Sequence, residues 1–187
     1  MKHVACLLVV VLCGFLAVGC SHVPLSMECA SGIDQSRLAR YQILVVDEFQ
    51  AGEKAKDDDL IRGLDEKVVF YVKQNYPGLF EDVVESGSAA AEYPDKDVMK
   101  VGGVVKTLAK GSRFARAVCI GLGSSKLEVD IALQDYKTGE KLASGKVKRY
   151  YALGGAAGAS YGIEDMVKGT AIEVADKIYE LKTGQKK

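Results

Sequence analysis

The sequence predicts an α+β domain: a mainly antiparallel sheet of four to five strands with two helices on one face, in the order β-α-β-β-β-β-α. Three observations carry that expectation. Lys126 to Gln134 alternates, with Leu127, Val129, Ile131 and Leu133 facing one way and Lys126, Glu128, Asp130 and Gln134 the other. That is the pattern of an antiparallel strand with one wet face. Leu60, Ile61, Leu64, Val68, Tyr71, Val72 and Tyr76 recur instead at helical spacing. So do Ile163, Val167, Thr170, Ala171, Val174, Ile178 and Leu181 near the C-terminus.

The remaining elements follow in chain order. Tyr41 to Phe49 (YQILVVDEF) is β-rich with apolar residues on both parities, which suits a central strand buried on both faces. The polar stretch from Ala51 ends in Asp57-Asp58-Asp59, and the first helix then runs to Pro77-Gly78. Three aspartates at a helix start invite a metal site. Consecutive positions point around a helix, however, so the stronger reading is that they cap free N–H groups and complement the dipole.

Leu79 to Glu85 reads as a second strand, and Ser86 to Asp97 as a small, polar connection. Val98 to Lys110 follows as a third strand, whose Gly102-Gly103 permits a bulge or a close approach. Asp135 to Gly139 supplies a hairpin turn, and Lys141 to Leu153 returns from it. The terminal helix stops at Gly184, leaving residues 184–187 as a short polar tail.

The N-terminus has the three parts of a secretory signal. Met1-Lys2-His3 is positive, Val4 to Phe15 is nearly unbroken hydrocarbon, and Leu16-Ala17-Val18-Gly19-Cys20 closes the run. The apolar core is short of the ~20 residues of a permanent span. In one reading an ordinary peptidase cuts here and Cys20 is incidental. In the sharper one, the thiol takes a diacylglyceryl group, cleavage falls between Gly19 and Cys20, and the new amine is acylated, for example with palmitate. Leu16, Ala17 and Gly19 before Cys20 resemble the bacterial lipobox. Several chains on one residue anchor stably, at about 0.8 kcal/mol per buried CH₂. Ser21 instead of Asp after the cysteine fits export to the outer membrane where a cell has two.

Cleavage leaves 187 − 19 = 168 residues, suited to one domain over 41–183 behind a lipidated tether over 20–40. Pro24, Ser26, Ser31 and Gly32, without a sustained period, suggest that tether, and ~20 extended residues reach up to ~65 Å. Without Lys2 the charge is 24 bases against 25 acids, or −1, which gives no global argument for nucleic acid. The charge is unevenly placed all the same. Asp47 to Asp97 holds 14 acids against 6 bases, and Lys106 to Arg149 holds 10 bases against 4 acids. The basic half suits lipid headgroups, a cell-wall polymer or an acidic protein. It equally suits pairing with the acidic half of its own sheet, which ranks slightly ahead.

Cys6 and Cys13 leave with the signal, so Cys29 and Cys119 remain in an oxidising compartment. They either bridge, or stay apart as a tether thiol and a small buried apolar residue. Catalysis has little support. His3 and His22 lie outside the expected domain, which removes Ser-His-Asp and Cys-His arrangements and most zinc sites.

Gly111 to Lys126 (GSRFARAVCIGLGSSK) is the densest unusual segment. A P-loop needs Gly-Lys-Ser/Thr opening a helix, and here a strand follows. Arg113 and Arg116 suit an anionic group on a partner, beside a bend made by Gly121 and Gly123. Gly111, Arg113, Arg116, Ile120-Gly121-Leu122-Gly123, Ser125 and Leu127, followed by a strand-turn-strand and a terminal helix, resemble the bacterial domain of unknown function 4410. The resemblance covers roughly Tyr41 to Leu181. Members usually carry a further glycine before the serine, which this chain lacks. The family implies an exported, often lipidated α+β domain and brings no catalytic residues. Gly154, Gly158 and Gly162, four apart, suggest either one smooth helical face or, more simply, a Gly/Ala loop.

These observations describe a cell-envelope lipoprotein, on the periplasmic face of the outer membrane in a Gram-negative cell. Its expected role is that of a non-catalytic interaction or accessory module with an envelope protein partner. A binder or carrier of an envelope lipid or glycan is the alternative, and a hydrolase ranks behind both. No cofactor, metal or nucleic acid is expected.

Overall fold

Leu44 and Val46 face one side of their strand and Ile43 and Val45 the other, and all four are buried. Everything else is arranged to cover those two faces. The computed structural model describes residues 21–55, 58–86, 93–112, 124–151 and 162–186. Its strands are β1 (Ser21–Cys29), β2 (Ile43–Val46), β3 (Gln50–Ala55), β4 (Asp82–Glu85), β5 (Val98–Ala109), β6 (Ser125–Asp135) and β7 (Lys141–Tyr151). Its helices are α1 (Gln35–Ala39), α2 (Asp58–Asn75) and α3 (Ile163–Thr183).

The α+β class stands, but the sheet is mixed and has seven strands, in the order β1-β7-β6-β5-β2-β4 with β3 also on β5. The expected strands correspond to β2, β4, β5, β6 and β7, and the expected antiparallel pairing holds in one half only, where β5, β6, β7 and β1 form antiparallel pairs. In the other half β2 pairs in parallel with both β4 and β5, and β3 in parallel with β5. The cause is α2. Parallel neighbours need a crossover connection, and a helix between two strands supplies one.

Three helices replace the expected two. In the additional α1, Asp34 accepts the Arg37 N–H at 2.9 Å and Leu38 is fully buried.

The tether is also corrected. Residues 21–29 form an edge strand on β7, with Ser21 opposite Tyr150 and Cys29 opposite Ala143. Pro24 falls where the register slips between Val23 and Ser26, a position that tolerates its missing N–H. Leu25, 2% exposed, enters the main core from this strand. Residues 21–29 are therefore part of the sheet, where the sequence suggested a tether.

Leu127, Val129, Ile131 and Leu133 all lie in the core, facing the helix layer. From α2 come Ile61, Leu64, Val68 and Val72, and from α3 Ile163, Val167, Ala171, Val174 and Ile178. Each such side chain contributes about 1.5–3 kcal/mol on burial. The two long helices also touch through stacked Tyr76 and Tyr179, 4.4 Å apart. At Gly103 the strands pass so closely that a Cβ would strike the Asp130 carbonyl oxygen and come within 3.1 Å of Phe49. Gly139 takes φ +71° in the β6–β7 turn, where Asp135 accepts from the Thr138 N–H and hydroxyl.

Candidate functional site

The two ends of the sheet differ. At one end Ser21 opens β1 opposite Tyr150, Tyr151 lies opposite Ser125, Lys126 opposite Ala109, and Ala55 of β3 opposite Leu108. This end bears the residue that follows Cys20. The chain also leaves it at Ser112 and returns at Ser124, and leaves again at Tyr151 before α3. Cys20, Gly19, Arg113, Arg116, Cys119, Gly121 and Gly123 lie outside the described residues, as do Gly154 and Gly158. Gly162 precedes α3, where its N–H donates to Asp165 Oδ2 at 2.7 Å. Cys29 is exposed and forms no disulfide among the described residues.

At the opposite end the chain is tied down. The Tyr41 hydroxyl donates to Asp135 Oδ2 at 2.8 Å, and burial and this bond push Tyr41 up to about 12. Burial raises Asp135, but hydrogen bonds from Thr138 and Tyr41 outweigh it and hold the carboxyl below its ordinary value. Lys182 buries its ammonium, donating to the Ala39 and Tyr41 carbonyls and standing 4.8 Å over the Phe80 ring. Burial lowers its pKa. These contacts tie the segment before β2 to the end of α3 and to the β6–β7 turn.

The face of the sheet away from the helices is different in kind. Near Tyr41's end it is covered: Ile43, Val45 and Val98 pack there with Val84, Tyr93 and Tyr136. Toward Ser21's end it carries charge. Lys106 and Lys146 approach Asp130 at 3.7 and 3.3 Å, and Lys146 and Lys148 approach Glu128 at 3.5 and 3.2 Å. The Asp130 bond raises the Lys146 pKa. The basic half of the chain is thus partly neutralised by its own few acids. Lys100, paired with Asp47 at 3.2 Å, links the face to the acidic half.

Beyond this ladder an open groove of about 520 Å³ is lined by Lys54, Thr107, Lys126, Glu128, Lys148 and Tyr150. Lys126 lies 5.4 Å from the centre of the Tyr150 ring. A second groove, about 600 Å³, crosses mid-face between Ser26, Glu28, Asp130, Ser144 and Lys146. The sequence pattern marks Lys126 and Glu128 as outward-facing. Lys54 joins them only through the parallel pairing of β3, which the sequence does not announce.

Among the described residues, no three His, Cys, Asp or Glu side chains converge as metal ligands, and no helix is long and apolar enough to cross a membrane. Asp58 and Asp59 stand in the first turn of α2; Asp57 lies outside the described residues. What the geometry offers, among the described residues, is a filled helix side and an open, charged sheet face.

The chain belongs to the family described as Domain of unknown function (DUF4410), whose model matches residues 34–155. The match stops short of β1 and α3. No curated protein matches the sequence. Among solved structures, the fold is similar to PelC from Paraburkholderia phytofirmans, solved as a dodecamer: TM-score 0.56, 11% identity, 86% of this chain and 97% of that one. A second PelC dodecamer, of a single-residue variant, gives TM-score 0.56 and 15% identity over 82% and 97%. Protein XCC0632 from Xanthomonas campestris gives 0.49 and 14% over 88% and 95%.

Proposed function

We propose that the chain is a cell-envelope lipoprotein, acylated at Cys20, whose single domain acts as a non-catalytic interaction or accessory module. One observation supports this above the others. Leu127, Val129, Ile131 and Leu133, the side chains that would line a lipid or glycan cavity between sheet and helices, are buried at 0–2% exposure in a closed core. What remains open is the sheet's charged face and, among the described residues, the outer edges of β1 and β4. Unpaired edges and charged faces are the surfaces on which other chains dock. In this reading an envelope protein partner meets one of them, and Arg113 and Arg116 add cationic contacts.

The test is in-cell crosslinking of the native protein followed by mass spectrometry, with Cys20→Ala as control. The expected result is one reproducible envelope partner, or a second copy of the chain, that is lost with the anchor. Recovery of general envelope background alone would sink the reading. Intact-mass measurement of the membrane-extracted protein checks the anchor separately, as a diacylglyceryl-modified residue 20 at the new N-terminus.

A further inference from the structure

We propose that the lysine-lined groove at Ser21's end of the sheet docks on the anionic phospholipid headgroups of the membrane that holds the anchor. The proposal rests on acylation at Cys20 and adds an orientation to it. β1 begins at Ser21, directly after the acylated residue, so no spacer separates sheet from bilayer. Ser21 is registered with Tyr150, and Tyr150 with Lys126, so Lys126 stands two strands from the anchor strand, about 10 Å away. That is comparable to the Debye length at physiological salt, about 8 Å, so the attraction is felt from the anchored position.

The charge has the right sign. Lys54, Lys126 and Lys148 line the groove against one carboxylate, Glu128. Lys148 reaches that carboxylate at 3.2 Å, while Lys54 and Lys126 have no carboxylate partner among the described residues. Tyr150 adds an aromatic ring of the kind enriched at headgroup depth. At the same end the first turn of α3 carries Glu164 and Asp165, of the opposite sign. A negative surface therefore attracts the sheet face and repels the helix side, and the domain leans with its open face toward the bilayer.

The experiment uses the chain from residue 20 onward with Cys20→Ser, which contains every described element and has no acyl group. It is floated with phosphatidylcholine vesicles and with vesicles doped with phosphatidylglycerol. Binding is expected only with phosphatidylglycerol, weakening as salt is raised. Lys54→Gln, Lys126→Gln and Lys148→Gln together should lower partitioning roughly 10–100-fold, since each lysine near an anionic surface contributes up to about fivefold. An equal charge change at the other end, Lys73→Gln, Lys96→Gln and Lys141→Gln, should alter it no more than about twofold. Matched urea midpoints for both triple variants exclude unfolding. Equal losses in the two variants, or no preference for phosphatidylglycerol, would overturn the proposal. So would binding to an acidic polymer that phosphatidylglycerol vesicles do not compete away. A chain that prefers phosphatidylglycerol but carries no acyl group when extracted from cells would keep the groove and remove the anchor.

Discussion

The Tyr41–Asp135 bond gives a prediction that can be worked through in numbers. Tyr41 is 1% exposed, and its hydroxyl joins the start of β2 to the β6–β7 turn. Replacing it by phenylalanine keeps the ring and removes the donor, which costs about 1.5–3 kcal/mol at neutral pH for a hydrogen bond to a charged acceptor. The pKa supplies the sharper test. Folding raises Tyr41 from 10.0 to about 12, so the folded state holds a proton that the unfolded chain releases between those values. Stability from this group is complete below pH 10 and declines as pH rises toward 12.

Two units correspond to ~2.7 kcal/mol in all, of which about 1.4 kcal/mol is lost by pH 11. The other tyrosines and the lysines titrate in both proteins and cancel in the difference. Urea unfolding at pH 8 and at pH 11 should therefore show the wild-type advantage over Tyr41→Phe shrinking by about 1.4 kcal/mol. An advantage that is the same at both pH values would show that burial and Asp135 do not hold that proton.

Three further substitutions probe the fold. Gly103→Ala should lower stability by about 1–3 kcal/mol or more, because the added methyl meets the Asp130 carbonyl of the neighbouring strand; an unchanged urea midpoint would refute the close approach. Lys182→Met should cost about 1–3 kcal/mol by stripping the Ala39 and Tyr41 carbonyls of their shared donor. A variant as stable as wild type in thermal unfolding would mean those carbonyls find water instead. Leu25→Ala should cost about 2–5 kcal/mol if β1 is part of the core, and nothing measurable if residues 21–29 are a loose leader.

The two long helices, the β6 alternation and the β6–β7 hairpin were legible because each repeats a period over many residues. The Ile43–Val46 run was legible as doubly buried, but its parallel neighbours were not. Periodicity reports which faces are covered and not the direction of the strand alongside. β1 escaped because Pro24 and two serines break its pattern, and at an edge strand those residues are tolerated. β3, QAGEKA, has almost no strand character of its own; it is held because it continues the line of β2 along β5. Of the site, Cys20 and the basic excess of Lys106 to Arg149 are readable in the sequence. The convergence of Lys54 with Lys126 and Lys148 depends on that same parallel pairing and is not.

The loss of the tether changes how the anchor acts. A flexible leader of ~20 residues would let the domain sample a volume tens of ångströms deep and meet partners in any orientation. With β1 hydrogen-bonded to β7 from residue 21, an acylated Cys20 instead holds one end of the sheet against the bilayer. Partner surfaces are then sorted by position. On the proposed docking, the end carrying Tyr150 and Lys126 meets the membrane, the end carrying Tyr41 and Asp135 faces away from it, and the outer edge of β1 runs between the two. A protein partner that needs the anchor then approaches along that edge, along the outer edge of β4 or from the far end, so crosslinks from Glu28 and Lys141 should outnumber those from Lys54 and Lys126 in cells.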